Sequence, residues 1–175
     1  QKMSRSLIDI DSLDIKDFFS ILKLANDISL GIIPKINSTF TVANIFYENS
    51  TRTLVSFELA AKRLGLICTN IDVAKSSEAK GEIFIDTLST LAAMSINVFV
   101  LRHKTPELIR LASKTLPQCH FINAGEGIKA HPSQALLDVF TIQQRFSDLS
   151  QLKIIIVGDV RHSRVANSLI FALQK

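Results

Sequence analysis

Residues 41–71 read TVANIFYENSTRTLVSFELAAKRLGLICTNI, and the order of patterns in this stretch decides the fold. It opens on a short β-prone run, Thr41–Tyr47, and passes through Glu48 and Asn49 into Ser50-Thr51-Arg52-Thr53. From Thr51 to Leu64 the apolar residues Leu54, Val55, Leu59, Ala60 and Leu64 recur at helical spacing, and Gly65 ends the helix. Leu66–Ile71 is a second strand. A strand, a helix and another strand in succession argue for parallel pairing with the helix laid across the sheet.

The same alternation extends in both directions. Upstream, Ile15, Phe18, Phe19, Leu22, Ala25 and Ile28 predict an amphipathic helix over about residues 13–29, closed by Gly31 and Pro34. Downstream, Asp72–Lys80 is a polar loop, Glu82–Ser95 a helix and Asn97–Leu101 a third strand. Thr105 as N-cap and Pro106 at the first helical position predict a helix over Thr105–Lys114. His120–Asn123 is a fourth short strand, Pro132–Phe146 a helix, Lys153–Val157 a fifth strand and Val165–Leu173 a last helix. The class is α/β, an open parallel sheet with helices on both faces. The all-apolar run Ile154–Val157 suits a strand buried on both faces. It either joins the first sheet or opens a second α/β domain. The expected division is a first domain over residues 1–148 and the opening strand and helix of a second over 149–175.

Composition excludes several classes. The chain has 175 residues, a net charge of +4, 47% hydrophobic and 21% charged residues, which is globular and not disordered. No run approaches the ~18 apolar residues of a membrane span. The first twenty residues carry Arg5, Asp9, Asp11, Asp14, Lys16 and Asp17, so a signal peptide is not expected. The two cysteines, Cys68 and Cys119, have no partner at metal spacing and read as core thiols of a reducing compartment. Basic residues are not clustered, which disfavours nucleic acid and leaves small anions as the ligands that fit the charge. There is no P-loop, HExxH, GxSxG or CxxC, and the segment from Gly158 to Arg164, GDVRHSR, lacks the glycines of a dinucleotide site.

The chemistry concentrates where strands end. Ser50–Thr53 enters a helix, where unpaired N–H groups and the dipole favour an anion and the Arg52 fork suits phosphate. A plain serine cap beside a solvated arginine has the same local pattern. Arg102 follows the third strand, and His131 and Gln134 open the helix after the fourth. In open α/β sheets, ligands bind beyond the carboxyl ends of the strands. The glycines of the Asn123–Gly127 loop by themselves indicate only a tight turn.

Four segments in order resemble the aspartate carbamoyltransferase catalytic chain, within the aspartate/ornithine carbamoyltransferase superfamily. They are FYENSTRTLVSFELAAKRLG (46–65), SEAKGEIFIDT (77–87), NAGEGIKAHPSQALLDVFTI (123–142) and LKIIIVGDVRHSRVANS (152–168). Lys80-Gly81-Glu82, the Leu136–Asp138 segment and Arg164 favour the aspartate over the ornithine enzyme, and Asn49 departs from the proline of many members. The resemblance implies a carbamoyl-phosphate-binding domain and transfer of the carbamoyl group to the amine of L-aspartate, in pyrimidine biosynthesis. It implies Ser50, Thr51, Arg52, Thr53, Arg102, His131 and Gln134 on carbamoyl phosphate. Arg52, Thr53, Arg102 and His131 would be catalytic, and Lys80 and Arg164 would serve aspartate. It further implies a cytoplasmic homotrimer with shared active sites, where Ser76 and Lys80 reach a neighbouring subunit. A regulatory subunit would be a further partner, and no cofactor or metal is needed. The 175 residues are shorter than that family expects, which reads as a fragment lacking most of the second domain and inactive alone. The other readings are a non-catalytic phosphate-binding or oligomerisation module and an ornithine carbamoyltransferase.

Overall fold

The computed structural model describes residues 6–36, 39–71, 81–146 and 148–175. Helix α1 (Ile15–Ser29) precedes strand β1 (Thr41–Phe46), then α2 (Thr51–Arg63), β2 (Ile67–Ile71), α3 (Gly81–Ala93), β3 (Val98–His103), α4 (Leu108–Thr115), β4 (His120–Glu126), α5 (Pro132–Arg145) and α6 (Arg164–Leu173). The four strands form one sheet in the order β2-β1-β3-β4. Every pair is parallel, with Val42 opposite both Cys68 and Val98, and Val98 opposite His120.

Strand periodicity sorts the side chains between two faces. Ala43, Ile45, Phe99, Leu101 and Phe121 pack on one face against Phe84 and Leu88 of α3 and Ile109 and Ala112 of α4. Val42, Val100 and Ala124 occupy the other face against Ala61 and Phe57 of α2. A third cluster joins Phe18 and Leu22 of α1, Ala135, Leu136 and Val139 of α5 and Ala172 of α6. Helices therefore cover both faces, as the alternation predicts. No helix among the described residues is long and apolar enough to cross a membrane.

Several expectations need correction. Lys153–Val157 forms no strand, and Ile155 and Val157 are 84% and 91% exposed. The outer side of β4 is already occupied, because Leu7 N–H donates to Phe121 O and Asn123 N–H donates to Leu7 O, both at 2.8 Å. The run therefore does not join the sheet there. Helix α4 begins at Leu108, not at Thr105. The Thr105 N–H donates to His103 Nδ1 (2.9 Å), and the first turn of α4 is capped from a distance by Glu126, whose carboxylate accepts from Ile109 N–H (3.4 Å). β3 runs on through Arg102 and His103, and β4 through Glu126. On α2 the buried residue is Ala61, while Val55 and Leu59 are exposed.

Phe99 is fully buried in the centre of the sheet and stacks on Phe121, with ring centroids 5.4 Å apart. Phe99→Ala should destabilise the chain by about 3–5 kcal/mol, the range for a large core truncation that leaves a cavity. Urea unfolding of both proteins checks this, and a loss under about 1 kcal/mol would contradict the packing described.

Candidate active site

Parallel strands leave the chain at one edge of the sheet, and the polar groups gather there. At the start of α2, Ser50 is the N-cap residue but makes no side-chain capping bond. Its Oγ instead donates to Thr53 Oγ1 at 2.9 Å. The first-turn N–H groups of Thr51, Arg52 and Thr53 thus remain available at the positive end of the helix. Thr51 and Arg52 are exposed, so both are free to meet a ligand.

Arg102 reaches the same place from β3. It lies opposite Phe46 and, by period two, on the face of Val98 and Val100, which is the α2 face. It is 9% exposed, and its Nη1 donates to Ala124 O at 3.3 Å. Its Nε lies 3.2 Å from Glu48 Oε2, an ion pair too bent to count as a hydrogen bond. Arg164 Nη1, from the start of α6, donates to the same Glu48 oxygen (3.0 Å) and to Gly127 O (2.8 Å). One carboxylate oxygen therefore sits between two guanidinium groups. Burial, and then the Arg164 charge, lower the pKa of Arg102, while Glu48 opposes the shift. The strand glycine beside it has a steric reason: a Cβ on Gly125 would lie 3.1 Å from Arg102 Nη1.

His131 is the N-cap residue of α5, with Pro132 at the first helical position. Its backbone N–H donates to the buried Ser168 Oγ of α6 at 2.9 Å, which ties the helix start to α6. Burial first, then the charges of Arg102 and Arg164, push its imidazole down to about 4. The ring is therefore neutral at pH 7. Ser133 Oγ lies 3.4 Å from Nδ1; when that hydroxyl donates, Nε2 carries the ring proton and becomes a donor. His131, Gln134, Ser133 and Thr53 line a small cavity of about 120 Å³. A wider hollow of about 480 Å³, lined by Glu48, Ser50 and Thr51, also opens at the start of α2. A third hollow, of about 510 Å³, lies among Phe18, Phe19, Val139 and Leu173, is largely apolar and holds none of these groups.

Most of the expected residues thus come together. Ser50, Thr51, Arg52 and Thr53 share the α2 start, Thr53 faces His131 and Gln134, and Arg102 and Arg164 meet at Glu48. Ser76 and Lys80 lie outside the described residues. Sequence reading missed Glu48 and Ser168. Glu48 has a local signal, an acid flanking a run built to hold an anion. Ser168 has none, because its partner is a backbone N–H remote in sequence. Among the described residues no group of three His, Cys, Asp or Glu is placed to hold a metal.

Comparison with known proteins places the whole fold. Residues 5–144 match the family model of the aspartate/ornithine carbamoyltransferase carbamoyl-P binding domain. The chain belongs to this family. It is 44% identical to an aspartate carbamoyltransferase catalytic subunit of Campylobacter fetus over 98% of its length and 57% of the relative's. It is 55% identical to one from Legionella pneumophila over 73% of its length and 43% of the relative's. Its fold superposes on aspartate transcarbamoylase of Trypanosoma cruzi in complex with aspartate and phosphate with a TM-score of 0.83 at 30% identity, covering 98% of this chain and 53% of that one. The chain thus spans about half the length of the relatives it matches.

The carbamoyltransferase family match does not itself fix the electrostatics, which two measurements can test. The His131 ring, followed by NMR, should titrate with a midpoint near 4. Because its pKa in the fold lies below the unfolded value of about 6.5, its contribution to stability is full above that pH and is lost as pH falls towards 4. A midpoint near 6.5 would contradict the buried, doubly cationic setting. Separately, Glu48→Gln should lower stability by about 1 kcal/mol by leaving two partly buried cations face to face. Added phosphate should restore much of the lost Tm by supplying the counter-charge, and a Tm insensitive to both changes would contradict the bridge.

Proposed function

We propose that this chain is the carbamoyl-phosphate-binding half of an aspartate carbamoyltransferase, which transfers the carbamoyl group to the amine of L-aspartate and releases phosphate. The observation that carries the reading is the meeting of Thr53, at the unpaired start of α2, with His131 and Gln134 around one small cavity. The phosphate takes the N–H groups and hydroxyls of Ser50–Thr53 with the Arg52 fork, and Arg102 adds charge where phosphate meets carbonyl. Thr53 and neutral His131 donate to the carbonyl oxygen as the attacking amine drives it towards a tetrahedral intermediate. A neutral ring suits this role, since it donates without adding a third cation beside Arg102 and Arg164. The intermediate collapses by expelling phosphate, the better leaving group, and the attacking nitrogen loses its proton. No covalent enzyme intermediate is required, so positioning supplies much of the rate.

Arg164 then takes an aspartate carboxylate, and Ser76 and Lys80 complete a neighbouring subunit's site in a homotrimer. Residues 149–175 begin the second domain. Support comes from the greater length of the relatives and from the exposed apolar run at Ile155 and Val157, which has the composition of a buried strand. Two carboxylates and an amine must be aimed together, so turnover requires that second half.

The test is binding of phosphonoacetamide, a stable phosphonate analogue of carbamoyl phosphate, followed by calorimetry. Arg52→Ala should weaken it by about 2–4 kcal/mol, the range for a charge-assisted contact left unpaired. Near-wild-type affinity in the variant, or no binding by the wild-type chain, would contradict the assignment.

A further inference from the structure

At this end of the sheet the α2 N–H groups, Arg52, Arg102 and neutral His131 bring donors, and the hydroxyls of Thr53 and Ser133 turn to donate or accept. The Gln134 carboxamide differs from a hydroxyl in offering its donor and its acceptor at two separate, fixed ends. Which end faces the cavity decides what the site can recognise. The side chain that fixes this is one helical turn away. Gln134 Nε2 donates to Asp138 Oδ1 at 2.8 Å, and both residues are half-buried on α5. The orientation is chemically determined. A carboxylate accepts and does not donate, so turning the carboxamide over would set two oxygens against each other. With Nε2 held by Asp138, the free end of the carboxamide is Oε1, on a side chain that lines the same cavity as Thr53 and His131.

We propose that Asp138 is a positioning residue that makes Gln134 a fixed acceptor, so that the site selects an acyl phosphate bearing N–H over one bearing a methyl group. This rests on the carbamoyl-phosphate reading and specifies how that site tells carbamoyl from acetyl. The carbamoyl NH2 donates to Gln134 Oε1. An acetyl methyl group of nearly the same shape leaves that oxygen unpaired in a partly buried place. Discrimination then arises at an acceptor whose direction is set by a residue that does not touch the ligand.

The experiment uses two phosphonates of matched shape, phosphonoacetamide with NH2 and acetonylphosphonate with CH3, titrated calorimetrically into the wild-type chain, Asp138→Ala and Asp138→Asn. Wild type should prefer the amide by roughly tenfold, the value of one hydrogen bond lost and one acceptor stranded. In Asp138→Ala the preference should fall to within about twofold with little change for the methyl ketone, because the carboxamide is free to turn. Asp138→Asn keeps the shape but offers both a donor and an acceptor, so its preference should fall in between. Titration with inorganic phosphate reports on the folding of each variant's anion site and should be unchanged. An unchanged preference in both variants, or equal weakening of both ligands, would overturn the proposal and make Asp138 structural. Equal binding of both ligands by wild type would overturn it while leaving the phosphate site standing. Wild type binding neither would overturn the carbamoyl-phosphate reading itself, and this inference with it.

Discussion

Parallel pairing obliges the chain to leave each strand at the same edge of the sheet and to return across a face before the next. Everything chemical in this protein depends on that constraint. β1 delivers Glu48 and the start of α2, β3 delivers Arg102, and β4 delivers the turn that ends in His131. These three strand ends are remote from one another in sequence. The register that sets Phe46 beside Arg102 is therefore as much a part of the site as the side chains themselves. Leu7, paired along β4, holds the outer side of the sheet and leaves the ligand edge clear.

The gathered charge is a second constraint. Burial lowers the proton affinity of Arg102 and of His131, and the neighbouring guanidinium charge, that of Arg164 on Arg102 and of both arginines on His131, lowers it further. Without a ligand, Glu48 is the counter-ion both arginines share. The proposed phosphate would offer the same charge at an adjoining place. The imidazole of His131 is kept neutral first by its burial and then by the same two positive charges.

Much of this was legible from residue order, and the failures have physical causes. Alternating periods of two and 3.6 revealed the βαβ succession, because both patterns are local. Strand ends were read too early at Leu101 and Asn123, since Arg102 and Gly125 look like loop residues. Both lie within strands, and the missing Cβ of Gly125 leaves space for the Arg102 side chain. The start of α4 was misplaced because its cap comes from Glu126, remote in sequence. Ile154–Val157 has a strand's composition but no partner strand among the described residues, and composition cannot supply one. In the candidate site, residues proposed to meet an anion directly, such as Arg52 and Arg102, carry recognisable chemistry. Ser168 and Asp138 contact other protein groups, the His131 N–H and the Gln134 carboxamide, so they stand out only from distances, and Glu48 is marked in sequence only by its place beside Ser50.

Whether the strand ends form one anion-and-carbonyl site can be followed in 1H–15N correlation spectra of the chain during addition of phosphonoacetamide. The backbone amides of Thr51, Arg52 and Thr53 should move together with those at Arg102 and Gln134, along a single saturation curve. Saturable binding that left the Thr51–Thr53 amides unmoved, or that shifted the apolar hollow between α1 and α5 instead, would contradict it.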